Sequence, residues 1–320
     1  MILAWERVIR ADRDEWVPVF TGLSVRQFRR LVRIVAGRGG EQTGTGRRWS
    51  LPLADRVLLI AVYYRTNLTL RQVAMLFGVS KSAAHRVVDH LAPLLALAPV
   101  TRRHSPDTVL IVDGTLVPVH DRTVTASSKN YQYSVNMQVV IDANTRLVVA
   151  VGRPVPGNHN DCTAFRDSGA DRACRGAHVM ADGGYQGNRQ VIMPYRRPRD
   201  GGELPAWQHA LNTVHKRVRA RVEHAFAHMK WWNILRNCRR KRDGVHHATH
   251  GIALMRNLAR SFRAVVPGRC GRVCGESKVG ARGRRARGRR RVWRRRRRGH
   301  RRDSAIASRG PAHCGLPFPR

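Results

Sequence analysis

At 320 residues the chain is long enough for a domain of about 150 residues with its own core and a smaller one beside it. Sixty Lys and Arg against 21 Asp and Glu give a formal net charge of +39, so the expected partner is an anionic polymer, nucleic acid before membrane surface. No apolar run approaches the roughly 20 residues of a spanning helix, and Met1-Ile2-Leu3-Ala4-Trp5-Glu6-Arg7 lacks the charged-then-apolar layout of a signal peptide, which predicts a soluble, cytoplasmic protein.

The first hundred residues read as helical. Ser24 caps a helix whose Val25, Phe28, Leu31, Val32 and Val35 recur at steps of three and four. Residues 38–46 are Gly-rich and form a loop. A second helix runs from about Leu51 to Tyr64, with Ala54, Val57, Leu58, Ala61 and Val62 as its buried stripe. In Thr69–Leu91, Thr69 caps a short helix, Gly78 opens a tight turn, and Ser80 caps a helix that packs through Ala84, Val87, Val88 and Leu91. This is the layout of a helix-turn-helix, which would offer Lys81, Ser82, His85 and Arg86 to a DNA groove. A helical hairpin that only packs is the plainer alternative.

After Pro93 and Pro99 the pattern turns to strands. Val109–Val112 predicts a buried strand ending at Asp113, with Val117–Val119 continuing past it. Tyr133–Ile141 and Leu147–Val151 flank the turn residues Asp142-Ala143-Asn144-Thr145 and read as a hairpin. Asn160–Phe165 starts a short helix, His178–Ala181 is a strand ending at Asp182, and Val191–Pro194 is a candidate fifth strand. A long helix spans about Leu211 to Leu235, with Val214, Val218, Val222, Phe226 and Met229 as its stripe. The fold class is therefore α/β: a helical helix-turn-helix domain over residues 1–100, then a ribonuclease H-like mixed sheet flanked by helices over 105–266. Residues 268–320 hold 18 arginines and one lysine against Glu276 and Asp303. With few aliphatic side chains, the segment from 267 onward is expected to be a disordered basic tail.

Six cysteines without a C-x-x-C pair read as reduced thiols; Cys270 and Cys274 lack the second pair that a zinc site needs. His246, His247 and His250 read as surface histidines. The chemistry lies instead in three carboxylates: Asp113 in Ile-Val-Asp-Gly-Thr, Asp182 in Ala-Asp-Gly-Gly-Tyr, and Glu223 in Arg-Val-Glu-His-Ala-Phe. Breaking a phosphodiester needs an activated water, neutralised phosphate charge and a stabilised leaving oxygen, which two Mg²⁺ ions about 3.5–4 Å apart supply when carboxylates fix them. Each residue also has a plain explanation: Asp-Gly is a turn signal, and Glu223 lies four residues after Arg219, the spacing of a helix ion pair. Asp161 is a second-tier candidate, either a metal ligand, a helix cap or a support. Lys129, Arg189, Arg196, Arg197, Arg199, Arg217, Arg221 and Lys230 are candidates to neutralise phosphates, with Tyr131, Tyr185 and Trp231 available to stack on a base and Trp232 and Phe226 assigned to packing.

The blocks around Asp113, Ser128-Lys129-Asn130-Tyr131, Pro156–Asp161, Ala181–Gly187 and Arg221–Lys230 resemble the DDE-superfamily endonuclease domain of insertion-sequence transposases, related to the Harbinger-derived nucleases. Thr21–Leu91 resembles the helix-turn-helix domain that precedes it, so the resemblance covers residues 20 to 262. It implies that Asp113, Asp182 and Glu223 bind a divalent metal, Mg²⁺ first and Mn²⁺ second. It also implies cleavage of double-stranded DNA at the ends of an element, transfer of the 3′-hydroxyl to target DNA, and a homo-oligomeric synaptic complex. A nuclease without strand transfer, and a DNA-binding remnant without catalysis, are the rival readings. The tail has no counterpart in the resemblance.

Overall fold

The computed structural model describes residues 7–42, 48–100, 103–128 and 132–261. The expectations attached to Lys129, Tyr131, Cys270, Cys274, Cys314 and the basic tail lie outside those residues.

Helices α1 (Trp16–Thr21), α2 (Val25–Gly37), α3 (Leu53–Thr66), α4 (Leu70–Leu76) and α5 (Lys81–Leu91) fill the first hundred residues. At α2 the Ser24 hydroxyl accepts from the Gln27 N–H while the Gln27 side chain accepts from the Ser24 N–H, so two orphan donors are satisfied reciprocally. α3 departs from the expected single stripe: Leu59, Ile60, Tyr63 and Tyr64 are buried along with Val57, Leu58, Ala61 and Val62. A helix apolar on all sides must be wrapped by others, and α1, α2, α4 and α5 pack around it. The helix-turn-helix follows the sequence closely. Thr69 and Ser80 cap α4 and α5, and Gly78 takes a left-handed φ of 62° in the turn. Ala84, Val87, Val88 and Leu91 are buried, whereas Lys81, Ser82, His85 and Arg86 are exposed.

β1 (Val109–Pro118) is the central strand of the sheet, antiparallel to β3 (Tyr133–Asp142) and parallel to β6 (His178–Met180). β3 also pairs antiparallel with β2 (Ala126–Ser127), β4 (Val148–Val151) and β5 (Val155–Pro156), and β6 pairs parallel with β7 (Val191–Ile192). An antiparallel meander continued across its first strand by parallel strands is the mixed sheet that a ribonuclease H-like fold requires. The hairpin turn is the predicted one, with Asp142 Oδ1 accepting from the Asn144 and Thr145 N–H groups.

β1 does not stop at Asp113. The Asp-Gly turn signal is overridden because β3 continues to pair alongside, with Asp113 opposite Val139 and Gly114 opposite Gln138. What ends at this level is the parallel neighbour, whose last registered pair is Ile111 with Met180. Asp113 therefore stands mid-strand, just past the end of β6.

α6 (Asp161–Asp167) and α7 (Ala170–Ala173) lie on one face of the sheet, and α8 (Ala206–Met229) and α9 (Gly244–Ser261) serve the other. On the first face Leu110, Val112, Val140, Phe165 and Tyr185 form one apolar cluster. On the second, Ile111, Val117, Met137 and Val139 join Val222 and Phe226 of α8 and Ile252 of α9 in a cluster that runs on through the helices of the first hundred residues. α8 starts and ends earlier than expected, and the first member of its predicted stripe, Val214, is 54% exposed. Periodicity shows which face can be buried; among the described residues the apolar cluster meets this helix from Val218 on, and before it His215 is buried against the Ile192 carbonyl. The three α9 histidines are half-buried instead of on the surface. His250 accepts from the Leu97 N–H, and burial pushes its imidazolium down to about 4. Cys174 and Cys238 are buried free thiols, as expected. Among the described residues no helix is long and apolar enough to cross a membrane.

Candidate active site

Successive side chains of a strand point to opposite faces. Ile111 and Val117 face α8, so Asp113, in step with them, faces α8 as well. Its Oδ1 accepts from the Gly114 N–H at 2.9 Å. Asp182 follows β6 and caps a single turn of 3₁₀ helix, Gly183–Tyr185, its Oδ1 accepting from the Gly184 N–H at 2.8 Å. Burial pushes the Asp113 carboxyl up to about 6; Arg219 and the Gly114 N–H oppose the shift, and the charges of Asp182 and Asp161 reinforce it. Loss of water on burial therefore outweighs the compensating charge that Arg219 supplies.

Glu223 projects from α8 directly after buried Val222, with its side chain 53% exposed. Arg219, one turn earlier, makes the i,i+4 ion pair that the spacing allowed. It also reaches across to the sheet, donating from Nη1 to Asp113 Oδ2 at 3.2 Å. One guanidinium thus lies between two of the three candidate carboxylates. Among the described residues no three Asp, Glu, His or Cys side chains already converge as a cation cage. The donors are hard carboxylate oxygens and a cation already bridges Asp113 to Glu223, so the residue set fits a divalent ion that takes the place of Arg219.

Asp161 lies behind Gly114 and beside Asp182: a Cβ at position 184 would lie 3.0 Å from Asp182 Oδ1 and 3.2 Å from Asp161 Oδ2. Asn160 caps α6 by accepting from the Thr163 N–H, so Asp161 is not the cap. Its Oδ1 instead accepts from Asn136 Nδ2 at 2.8 Å and from Gln138 Nε2 at 3.3 Å. Gln138 Oε1 in turn accepts from the Tyr185 hydroxyl at 2.5 Å. This network presses on the backbone beside Asp113. A Cβ at position 114 would lie 2.2 Å from Asp161 Oδ1 and 2.6 Å from Gln138 Nε2, so glycine is required there for close approach. Sequence reasoning missed Asn136 and Gln138. Their signal was a row of polar side chains, Ser134, Asn136 and Gln138, at alternate positions of one strand. Tyr185 is fully buried and is no base-stacking platform, whereas Trp231 is exposed beside His228, with ring centroids 4.5 Å apart. Trp232 and Phe226 are buried in the core, as expected.

The candidate DNA-contacting residues fall in different places. Lys81, Ser82, His85 and Arg86 line the exposed side of α5; His85 Nδ1 lies 2.6 Å from Asp89 Oδ2, and the Arg86 guanidinium lies 4.9 Å from the Trp49 ring centroid. Arg189 is exposed, and Arg196 donates to the Gly183 carbonyl at 2.6 Å, next to Asp182. Arg221 donates to the Ala143 carbonyl at 2.6 Å, so the structure turns it toward the hairpin and not toward the carboxylates. Lys230 is partly buried at the end of α8.

Known proteins match this arrangement in two blocks. Residues 49–100 match the family model "Helix-turn-helix of DDE superfamily endonuclease" and residues 104–258 match "Transposase DDE domain". A protein of Streptomyces albus G named as a transposase for insertion sequence element IS112 is 59% identical over 252 residues, which cover 79% of this chain and 98% of that protein. One of Microchaete diplosiphon, named as a transposase for insertion sequence element IS702, is 26% identical over 239 residues, covering 69% and 86%. Among solved structures, a piggyBac transposase synaptic complex with hairpin DNA aligns at 7% identity and a TM-score of 0.37, over 81% of this chain and 73% of that one.

Proposed function

Because this chain belongs to the DDE-family insertion-sequence transposases, we propose that it cuts phosphodiester bonds at the ends of its element and joins the freed 3′-hydroxyl to target DNA, with Asp113, Asp182 and Glu223 as the catalytic carboxylates. The observation that supports this reading is the link made by Arg219 between Asp113 and Glu223, together with the charge of Asp182 felt at the Asp113 carboxyl. These three would hold a divalent cation, Mg²⁺ first and Mn²⁺ second. When bound, the ion supplies neutralisation of phosphate charge and activation of the attacking group.

The chain's own residues do the remainder. Asp113, mid-strand and paired to β3 just past the end of β6, is held on the sheet itself, whereas Asp182 follows a strand and Glu223 projects from a helix. Asp161, Asn136 and Gln138 hold the backbone at Gly114 from behind, so the strand cannot drift toward the other face. Arg219, paired with both Asp113 and Glu223, offsets their charge at the place where these carboxylates would hold the cation. Arg189, Arg196 and Lys129 neutralise phosphates on the way in, and α5 carries Lys81, Ser82, His85 and Arg86 to the bases of the element ends. Residues 1–100 would bind DNA, residues 105–266 would cut it, and the basic segment from 267 would add affinity for any duplex. Joining two ends requires two active sites, so the working form is a homo-oligomer on DNA in the cytoplasm, at the nucleoid.

Incubation with a duplex carrying the element end tests the reading. Cleavage is expected with Mg²⁺ or Mn²⁺ and not with Ca²⁺, and strand transfer is expected when target DNA is added. Asp113→Asn, Asp182→Asn and Glu223→Gln should each remove cleavage while leaving DNA binding intact. Full activity of the Asp113 variant would sink the assignment.

A further inference from the structure

Beyond α8 the chain does not run straight into α9. Cys238, buried, bridges to the end of β1, its N–H donating to the Pro118 carbonyl at 2.8 Å while its own carbonyl accepts from the His120 N–H at 2.9 Å. The Asn237 carbonyl accepts from Asn67 Nδ2 at 2.7 Å, and Arg239 donates to the Asn67 carbonyl at the end of α3. Arg240 Nη2 lies 2.5 Å from Asp89 Oδ1 on α5, and the Arg242 N–H donates to Asp121 Oδ2 at 2.7 Å. These attachments tie the basic run Arg239-Arg240-Lys241-Arg242 to β1, α3, α5 and the loop after β1. The run is far from α5 in sequence and beside it in space.

Between the two lies a cleft of about 670 Å³ lined by Lys81, His85, Arg239, Arg240, Lys241 and Arg242, among others. The lining has five cationic side chains against one carboxylate, Asp89, and that carboxylate is shared between His85 and Arg240. Arg239, Lys241 and Arg242 are exposed. A helix lying in the major groove has the phosphate backbone passing along its flank, so cations held beside the exposed face of α5 meet phosphates and not base edges.

We infer that Arg239–Arg242 is a phosphate clamp, a second DNA-contacting element outside the helix-turn-helix that grips the backbone of the duplex whose groove α5 enters. This rests on the reading of α5 as the groove-entering helix. Asp89 couples the two parts: through its two oxygens it orients His85 on one side and Arg240 on the other. Arg240 is the anchor of the clamp, and Lys241 and Arg242 are its contacts.

Fluorescence anisotropy of the full chain with a duplex carrying the element end, over a range of salt, tests the inference. Every phosphate that a variant no longer neutralises takes about 0.9 off the slope of log affinity against log salt. Lys241→Ala/Arg242→Ala is therefore expected to flatten the slope by about 2 and to weaken binding about tenfold near physiological salt. Lys241→Gln alone should give half that slope change, and it serves if the double variant shows an altered melting temperature. Arg29→Ala/Arg33→Ala on α2 changes net charge equally and should leave the slope as it was. Equal flattening by both pairs would mean general electrostatics and overturn the clamp. An unchanged slope in the loop variants, with Lys81→Ala/His85→Ala losing affinity, would overturn the clamp while the α5 reading stands. Full affinity in the Lys81/His85 variant would remove the α5 reading, and the clamp with it.

Discussion

Arg219 is the residue on which the state of the carboxylates turns. Its side chain is mostly buried and neutralises Asp113 and Glu223 together. On the proposed reading a divalent ion would compete with it for the same two carboxylates, and the competition would reduce the ion's affinity. Arg219→Gln should bind Ca²⁺ or Mn²⁺ more tightly, by roughly 3- to 10-fold if the displaced pairs are worth about 1 kcal/mol, as calorimetric titration would read. Unchanged or weaker binding would show that the guanidinium does not compete.

The Asp113 carboxyl gives a second handle at this scale. Its folded-state pKa is raised to about 6 from an ordinary 3.8, so the folded chain holds the proton more firmly than the unfolded one. The stabilisation from this group is complete below about 4 and is lost as the pH rises through about 6. Metal-free protein should therefore lose part of its melting temperature between pH 4 and 6.5, and Asp113→Asn should flatten that dependence. Cation binding has the opposite sign: it needs the carboxylate and should weaken as the pH falls through 6. At position 114 a side chain meets Asp161 and Gln138, and Gly114→Ala should cost about 1–3 kcal/mol in urea denaturation through overpacking.

At the scale of elements, what the sequence revealed depended on how local the signal was. The caps at Ser24, Thr69 and Ser80 and the turn at Gly78 are set by neighbours within four residues, and the helices they delimit were legible from the chain alone. Ser80→Ala should cost about 1 kcal/mol and fray the start of α5, lowering discrimination between end DNA and random DNA in a competition assay. The strand's two ends, Val109–Val112 and Val117–Val119, were legible but its unbroken run through Asp113 was not, because only the cross-strand partner, 26 residues later, overrides an Asp-Gly turn signal. The same limit explains the candidate site. The three carboxylates and Asp161 were visible as motifs, but the Arg219–Asp113 contact spans 106 residues, and nothing near either residue announces it. Asn136 and Gln138 alternate with Val135, Met137 and Val139, a pattern that reads as the wet face of a half-buried strand, whereas both faces of this strand are buried.

For the whole molecule, charge and packing separate. Nineteen cationic residues lie beyond Pro267, while among the described residues the apolar cluster that joins the helices to the sheet runs to Leu258, with Ala259 packed against it. A chain ending at Val266 should keep its melting temperature and its cleavage, and should bind random duplex more weakly with a flatter salt dependence. A lowered melting temperature would mean that the basic segment supports the core.

That continuous cluster has a metric consequence. Val87 and Val88 on the back of α5 and Ile111 and Val117 on the face of β1 that carries Asp113 are members of the same packed interior. On the proposed reading, with α5 on the bases and Asp113 at the cut, a protein built this way measures DNA: the number of base pairs from the bases gripped to the bond broken would be a property of its interior, as the span of a pair of fixed callipers is a property of the metal. Inserting about five base pairs, half a turn, between the recognised sequence and the natural cut should leave the break at its original distance from that sequence, now inside the insertion.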